Sequence, residues 1–129
     1  MRPQVWPAWE AFHAASEARR SDMHDPDKAA ALVAAREELE RSLAAVLARV
    51  AYRTRRVGDL RPGRDGGHVH LAVGAEVSLQ GWHRARGQTL CGAPPGRYSG
   101  DRPVTCAACL RLLDRHVDLE PDPPALALL

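Results

Sequence analysis

The sequence predicts an α+β protein in which an N-terminal helical hairpin precedes a small module of β-hairpin and helix. In residues 1–60, apolar side chains recur at helical spacing, as in a short helix followed by a long amphipathic one. Residues 61–67 (Arg-Pro-Gly-Arg-Asp-Gly-Gly) favour turns and are expected to form a linker. Over residues 68–120 the apolar period changes to the alternation of strands, and a proline-broken tail follows at 121–129.

The first helix is expected over residues 5–20. Trp6, Trp9 and Phe12 recur there every three residues, and Pro7 suits a position in the first helical turn. We expect the face that these aromatic side chains form to be part of the core.

The second helix is expected over residues 26–56, between a capping aspartate and a glycine. Asp25 is a favourable N-cap, Pro26 fits the first helical position, and Gly58 stops the helix. One stripe carries most of its apolar side chains, namely Leu32, Leu39, Leu43, Val46, Leu47 and Val50. A helix of ~30 residues is ~45 Å long, so the first helix is expected to cover only part of this stripe.

The uncovered part of the stripe predicts a contact with another chain. Its leucines and valines follow a repeat that is close to seven residues. We therefore expect self-association, or binding of a helical protein partner, through Leu39, Leu43, Val46 and Val50. The alternative is that the stripe packs on the first helix alone, as ordinary core.

The module after the linker is expected to contain two strands and a final helix. Residues 68–73 alternate between apolar and polar or small side chains, and a second strand is expected over residues 77–83. Residues 92–103 are rich in glycine and proline, which indicates a loop. Thr105 can cap a helix over residues 106–117.

All three cysteines of the chain fit one metal site. Cys106 and Cys109 form a C-x-x-C at a predicted helix N-terminus, where two thiolates converge and the helix dipole stabilises their charge. Cys91 precedes Gly92, and a glycine there permits the tight turn of a zinc knuckle. An odd number of cysteines favours metal over disulfides. With one histidine these thiolates make a Cys₃His donor set for Zn²⁺, and inert buried thiols are the alternative.

The fourth ligand is expected to be His83, which lies eight positions before Cys91, across a turn expected at residues 84–87. The resulting spacing is H-x7-C-x14-C-x2-C, and it predicts a module stapled by zinc in the manner of a treble clef or a zinc ribbon. His70 is the alternative, because the strand that carries His68 and His70 reaches the ion if the sheet folds over it.

The same segment resembles a small zinc-finger pattern of actinobacterial and actinophage proteins. The pattern runs H…G-x-T-L-C-G…V-T-C-x-x-C-L-R-L, and residues 82–112 of this chain follow it. Most of these proteins are uncharacterised. The resemblance therefore implies the ligands His83, Cys91, Cys106 and Cys109, and it implies no activity.

The arginines support a second hypothesis, nucleic-acid binding. The formal net charge is only +2 and Lys28 is the only lysine, so the clustering of arginines is more informative than their number. Six of them lie at the predicted end of the long helix and in the linker: Arg49, Arg53, Arg55, Arg56, Arg61 and Arg64. The alternative is a solvated helix terminus.

A non-catalytic role is expected for the zinc. A catalytic zinc keeps one position open for water, whereas a Cys₃His set fills all four. Ala85 occupies the position at which nucleotide deaminases carry a glutamate, two residues after the ligand histidine. No apolar run approaches the ~18 residues of a membrane span, and we expect a cytoplasmic location. The sequence thus favours an adaptor or regulator that acts through protein contacts, with nucleic-acid binding as the alternative and a metal-dependent enzyme less favoured.

Overall fold

The computed structural model describes residues 2–64 and 66–123. Its elements, in chain order, are α1 (Trp6–Ser21), α2 (Pro26–Leu47), β1 (Thr54–Asp59), β2 (His70–Val73), β3 (Val77–Leu79), β4 (Trp82–Arg84), β5 (Pro95–Tyr98) and α3 (Ala107–Arg115). Helices followed by small antiparallel sheets confirm the predicted α+β class. Asp65 of the predicted linker and residues 124–129 of the predicted tail lie outside the described residues.

The first two helices pack against each other as a hairpin. The start of α2 follows the predicted capping signal, because the Asp25 carboxylate accepts a hydrogen bond of 2.8 Å from the Asp27 amide and Pro26 is the first helical residue. The start of α1 is capped from a distant part of the chain. Its Val5 and Trp6 amides donate to the carboxylate of Asp114 in α3, at 2.7 and 3.0 Å.

The second helix is shorter than predicted, since it ends at Leu47 instead of residue 56. Residues 54–59 form the strand β1, in which Val57 is buried and Arg55 is exposed. The amides and carbonyls of β1 are paired on both sides, with β2 and β5. These long-range hydrogen bonds outweigh the helical propensity of the local sequence, in which arginines conceal the strand pattern.

Two antiparallel sheets follow the helical hairpin. The larger has the strand order β2-β1-β5, with Val57 opposite both His70 and Tyr98. The smaller is the β3–β4 hairpin, whose turn at Gln80 and Gly81 has positive φ at both residues, as in a type I′ turn. The predicted second strand over residues 77–83 is therefore divided by this turn.

One hydrophobic core joins the helical hairpin to the sheets and to α3. From α2 it contains Leu39, Leu43 and Val46, which are exposed by 1% or less. From the later elements it contains Leu71, Leu79, Leu90, Leu110 and Leu113, among others. The chain itself thus covers Leu39, Leu43 and Val46, through which a contact with another chain was expected. Val50, the fourth residue of that expected contact, lies beyond the end of α2 and is partly buried against the same core. None of the described helices has the length and apolar character that crossing a membrane requires.

Candidate metal centre

One histidine and three cysteines meet beneath the larger sheet. The ligand atoms of His70, Cys91, Cys106 and Cys109 all lie within 4.8 Å of one another. The Nδ1 atom of His70 is 3.4 Å from the Sγ atom of Cys91 and 3.8 Å from that of Cys109. Tetrahedral zinc, with Zn–S of about 2.3 Å and Zn–N of about 2.0 Å, sets ligand atoms about 3.5–3.8 Å apart. The cluster therefore has the donor chemistry and close to the spacing of a zinc site.

Two of the thiols are supplied by the first turn of α3. Cys106 is the N-cap of this helix, and its sulfur accepts a hydrogen bond from the Cys109 amide at 3.5 Å. A hydrogen bond from the Cys109 thiol and this amide contact hold the pKa of Cys106 below its usual value, although burial opposes the shift. The pKa of Cys109 is raised by the same thiol contact and by burial. Cys106 is thus prepared to act as a thiolate, the form that binds metal.

The third thiol comes from a tight turn between β4 and β5. Gly92 follows Cys91 at a φ of +87°, a conformation that residues with a β-carbon rarely adopt. The guanidinium of Arg84 donates hydrogen bonds to the carbonyls of Thr89 and Leu90 at 3.0 and 2.9 Å, which fixes the backbone ahead of the cysteine. The expected tight turn at Cys91 and Gly92 is present. Arg84 supports it through hydrogen bonds that the spacing of the cysteines did not predict.

The histidine of the cluster is held by a carboxylate. His70 is 4% exposed, and its Nε2 atom is hydrogen-bonded to Asp59 at the end of β1 while Nδ1 faces the thiols. Asp59 also accepts from the His68 amide at 2.8 Å, and these two hydrogen bonds hold the pKa of Asp59 below its usual value. Gly67 leaves the space for this carboxylate, since a β-carbon there would lie 2.3 Å from its Oδ2 atom. Carboxylate–histidine pairs of this kind orient the ligands of many metal sites.

Replacing Asp59 by asparagine should weaken metal affinity by about 10- to 100-fold while leaving the four ligands in place. The amide lacks the charge that makes His70 a stronger donor. Competition with a chromophoric chelator measures the affinity. Asp101→Asn is the matched control because Asp101 is an exposed aspartate outside the cluster, and equal affinities of the two variants would contradict the role given to Asp59.

The structure does not bring the predicted ligand His83 to this cluster. His83 lies on β4, its side chain is 52% exposed, and its Nε2 atom is 3.5 Å from a carboxylate oxygen of Glu76. Its neighbours Trp82 and Arg84 face inwards, and strand alternation therefore turns His83 towards solvent. His70, the alternative, takes the fourth position. The signal for it in the sequence was a histidine inside the apolar run of a buried strand.

The six arginines of the predicted nucleic-acid surface are divided by the fold. Arg49 is ion-paired with Asp118, and Arg56 is ion-paired with Glu40 and also donates to the Arg102 carbonyl at 2.7 Å. These two arginines hold elements of the fold together. The other four are exposed: Arg53, Arg55, Arg61 and Arg64.

Comparisons with known proteins add no relative to this description. No family model matches the chain, and neither a curated protein nor a solved structure is significantly similar to it. The assignment of the site therefore rests on the geometry of its own residues.

Proposed function

We propose that this chain is a non-catalytic zinc protein in which His70, Cys91, Cys106 and Cys109 hold one structural Zn²⁺. The observation that carries the proposal is the convergence of three cysteine sulfurs and one imidazole nitrogen, largely buried, within 4.8 Å of one another. Thiolate and imidazole ligands in a tetrahedral arrangement are typical of structural zinc.

The closed donor set supports a structural role over a catalytic one. Four protein ligands complete the tetrahedron, and no position is left at which zinc could activate water. The carboxylate next to the cluster, Asp59, is occupied by His70 and the His68 amide. It therefore orients a ligand instead of serving as a proton shuttle.

The local architecture supports a treble-clef-like module. Two ligands lie at the N-terminus of α3, one in a knuckle-like turn, and one on a strand of the adjoining sheet. Ligands donated by a helix favour a treble clef over a zinc ribbon. We also propose that the module is related to the actinobacterial and actinophage zinc-finger pattern, with His70 in place of His83 as the histidine ligand.

The biological role that we propose is that of an adaptor or regulator whose zinc-stapled core presents the α1–α2 hairpin to a protein partner. Leu39, Leu43 and Val46 are buried within the chain and cannot form that contact. The outer surface of the hairpin carries exposed apolar side chains, with Met23 at 59% and Val33 at 58% exposure. A partner would contact this outer surface.

Nucleic-acid binding is the second candidate function. It is favoured by the exposure of Arg53, Arg55, Arg61 and Arg64 around β1 and the segment that follows it. Arginines in such positions neutralise phosphates, and binding of this type weakens steeply as salt is added.

Elemental analysis of the purified protein should find about one zinc per chain, since one Cys₃His set holds one ion. A Cys106→Ser, Cys109→Ser double variant should contain none, whereas a Ser42→Ala variant should retain the full amount because Ser42 lies on α2, outside the cluster. Metal-free protein with an unchanged melting curve would contradict the proposal, and iron in place of zinc would change the assigned ion.

A further inference from the structure

A groove of about 730 Å³ lies beside the metal cluster, between α1, the segment before β2 and the start of α3. Its volume is in the usual range of sites for small ligands, about 300–1,000 Å³. Cys106 lines the groove, but the other three residues of the metal cluster do not. The groove is thus a separate site that shares one wall with the metal centre.

Stacked rings form the wall of the groove on α1. Trp9 is stacked on Trp6 at a centroid distance of 4.8 Å and on His13 at 5.1 Å, with interplanar angles of 21° and 8°. The guanidinium of Arg111 lies 4.2 Å over the Trp6 ring and closes the far end of the stack. His13 is exposed and is the last ring at the opposite end of the stack. Trp9 and His13 both line the groove, so it offers the end of an ordered stack to a further planar ring.

Positive charge predominates around this stack. Among the described residues, the lining contains the guanidinium groups of Arg20 and Arg64 and one carboxylate, that of Glu17. Glu17 lies 3.5 Å from Arg20 and offsets part of its charge. The imidazoles of His13 and His68 also line the groove. An anionic ligand therefore complements the groove better than a neutral or cationic one.

We propose that this groove binds a nucleotide, with the base stacked on His13 at the end of the Trp6–Trp9–His13 stack and the phosphate attracted by Arg20 and Arg64. A nucleotide has both properties that complement this groove, a planar π-system for the stack and a negative charge for the arginines. Aromatic side chains beside basic ones are the usual combination for nucleotides of a single strand. The inference does not depend on a metal ion in the neighbouring cluster. None of the stacked rings and neither of the two arginines belongs to the four residues of that cluster.

Titration of the zinc-loaded chain with adenosine 5′-monophosphate tests the proposal. We expect saturable quenching of tryptophan fluorescence, because the base would lie at the end of a stack that contains two tryptophans. Adenosine and inorganic phosphate, titrated separately, should each bind more weakly than the nucleotide. A short single-stranded oligoadenylate forms a further arm: tighter binding than the monophosphate identifies a strand as the ligand, and weaker binding identifies a free nucleotide.

Two pairs of variants separate the groove from general effects of charge and stability. His13→Ala should weaken nucleotide binding about fivefold or more, which is the scale of losing one stacked ring. His24→Ala should have no effect, since this exposed histidine lies outside the groove. Arg64→Gln should weaken binding, whereas Arg97→Gln on β5 should not.

Zinc content, measured for every variant, keeps this test independent of the metal site. Weak nucleotide binding by a His13→Ala variant that retains zinc supports the groove. The proposal is overturned if neither nucleotide ligand binds saturably, if phosphate alone binds as tightly as the monophosphate, or if the His24 and His13 variants behave alike.

Discussion

Replacing His70 by alanine should release the zinc and unfold the region around residues 68–117. Structural zinc contributes on the order of 10 kcal/mol to the folding of small modules, and a whole domain is stable by only about 5–15 kcal/mol. His70 also joins the cluster to β1 through Asp59, so its loss removes a ligand and a contact between elements. The measurements are zinc content and amide hydrogen exchange over the region.

His83→Ala is the matched control for this experiment. The two histidines lie in the same part of the chain, but the His83 side chain is 52% exposed and its Nε2 atom lies 3.5 Å from a carboxylate oxygen of Glu76. This variant should retain its zinc and melt as the unchanged protein does. If the His70 variant retained zinc and the His83 variant lost it, His70 would not be a ligand. The result would instead support His83 as the fourth ligand, as the sequence predicted.

Replacing Leu43 by aspartate should unfold the protein as a whole. Leu43 is 1% exposed and belongs to the core that α2 shares with the sheets and α3. The substitution removes a buried apolar side chain and buries a charge, and such changes cost about 4 kcal/mol or more. Chemical denaturation followed by circular dichroism measures the loss.

The control for this variant is Val33→Asp on the same helix. Val33 is 58% exposed, and its replacement should change stability by only about 0.5 kcal/mol. Sedimentation adds a second measurement, since a Leu43→Asp protein that stays folded and merely loses self-association would place the α2 stripe at an interface between chains instead of in the core.

The features that sequence predicted well are those set by short-range chemistry. The start of α2 follows from Asp25 and Pro26, because a cap acts over only two or three residues. Cys106 and Cys109 were recognised because a C-x-x-C at a helix start brings two sulfurs together with little help from the rest of the fold. The helix itself begins one residue later than expected, since Cys106 takes the cap position in place of Thr105.

The features that sequence missed depend on which strands become neighbours. The strand β1 was hidden among arginines, and only its pairing with β2 and β5 stabilises it. His70 and His83 both lie in short strands, and periodicity does not say which face meets the cysteines. Asp59 was not singled out because its role depends on His70, which is separated from it by ten intervening residues and brought near only by the antiparallel pairing.

The contacts that connect α1 and α2 to α3 have a consequence for how the chain is made. The groups that complete the core, cap α1 and complete the metal-ligand set come from residues as late as Cys109 and Asp114. At the usual pace of synthesis, ~5–20 residues per second, several seconds separate the emergence of α2 from that of α3. During that interval the nascent helical hairpin exposes its apolar face to water. The chain therefore cannot bury this face or complete its metal-ligand set until α3 has been made.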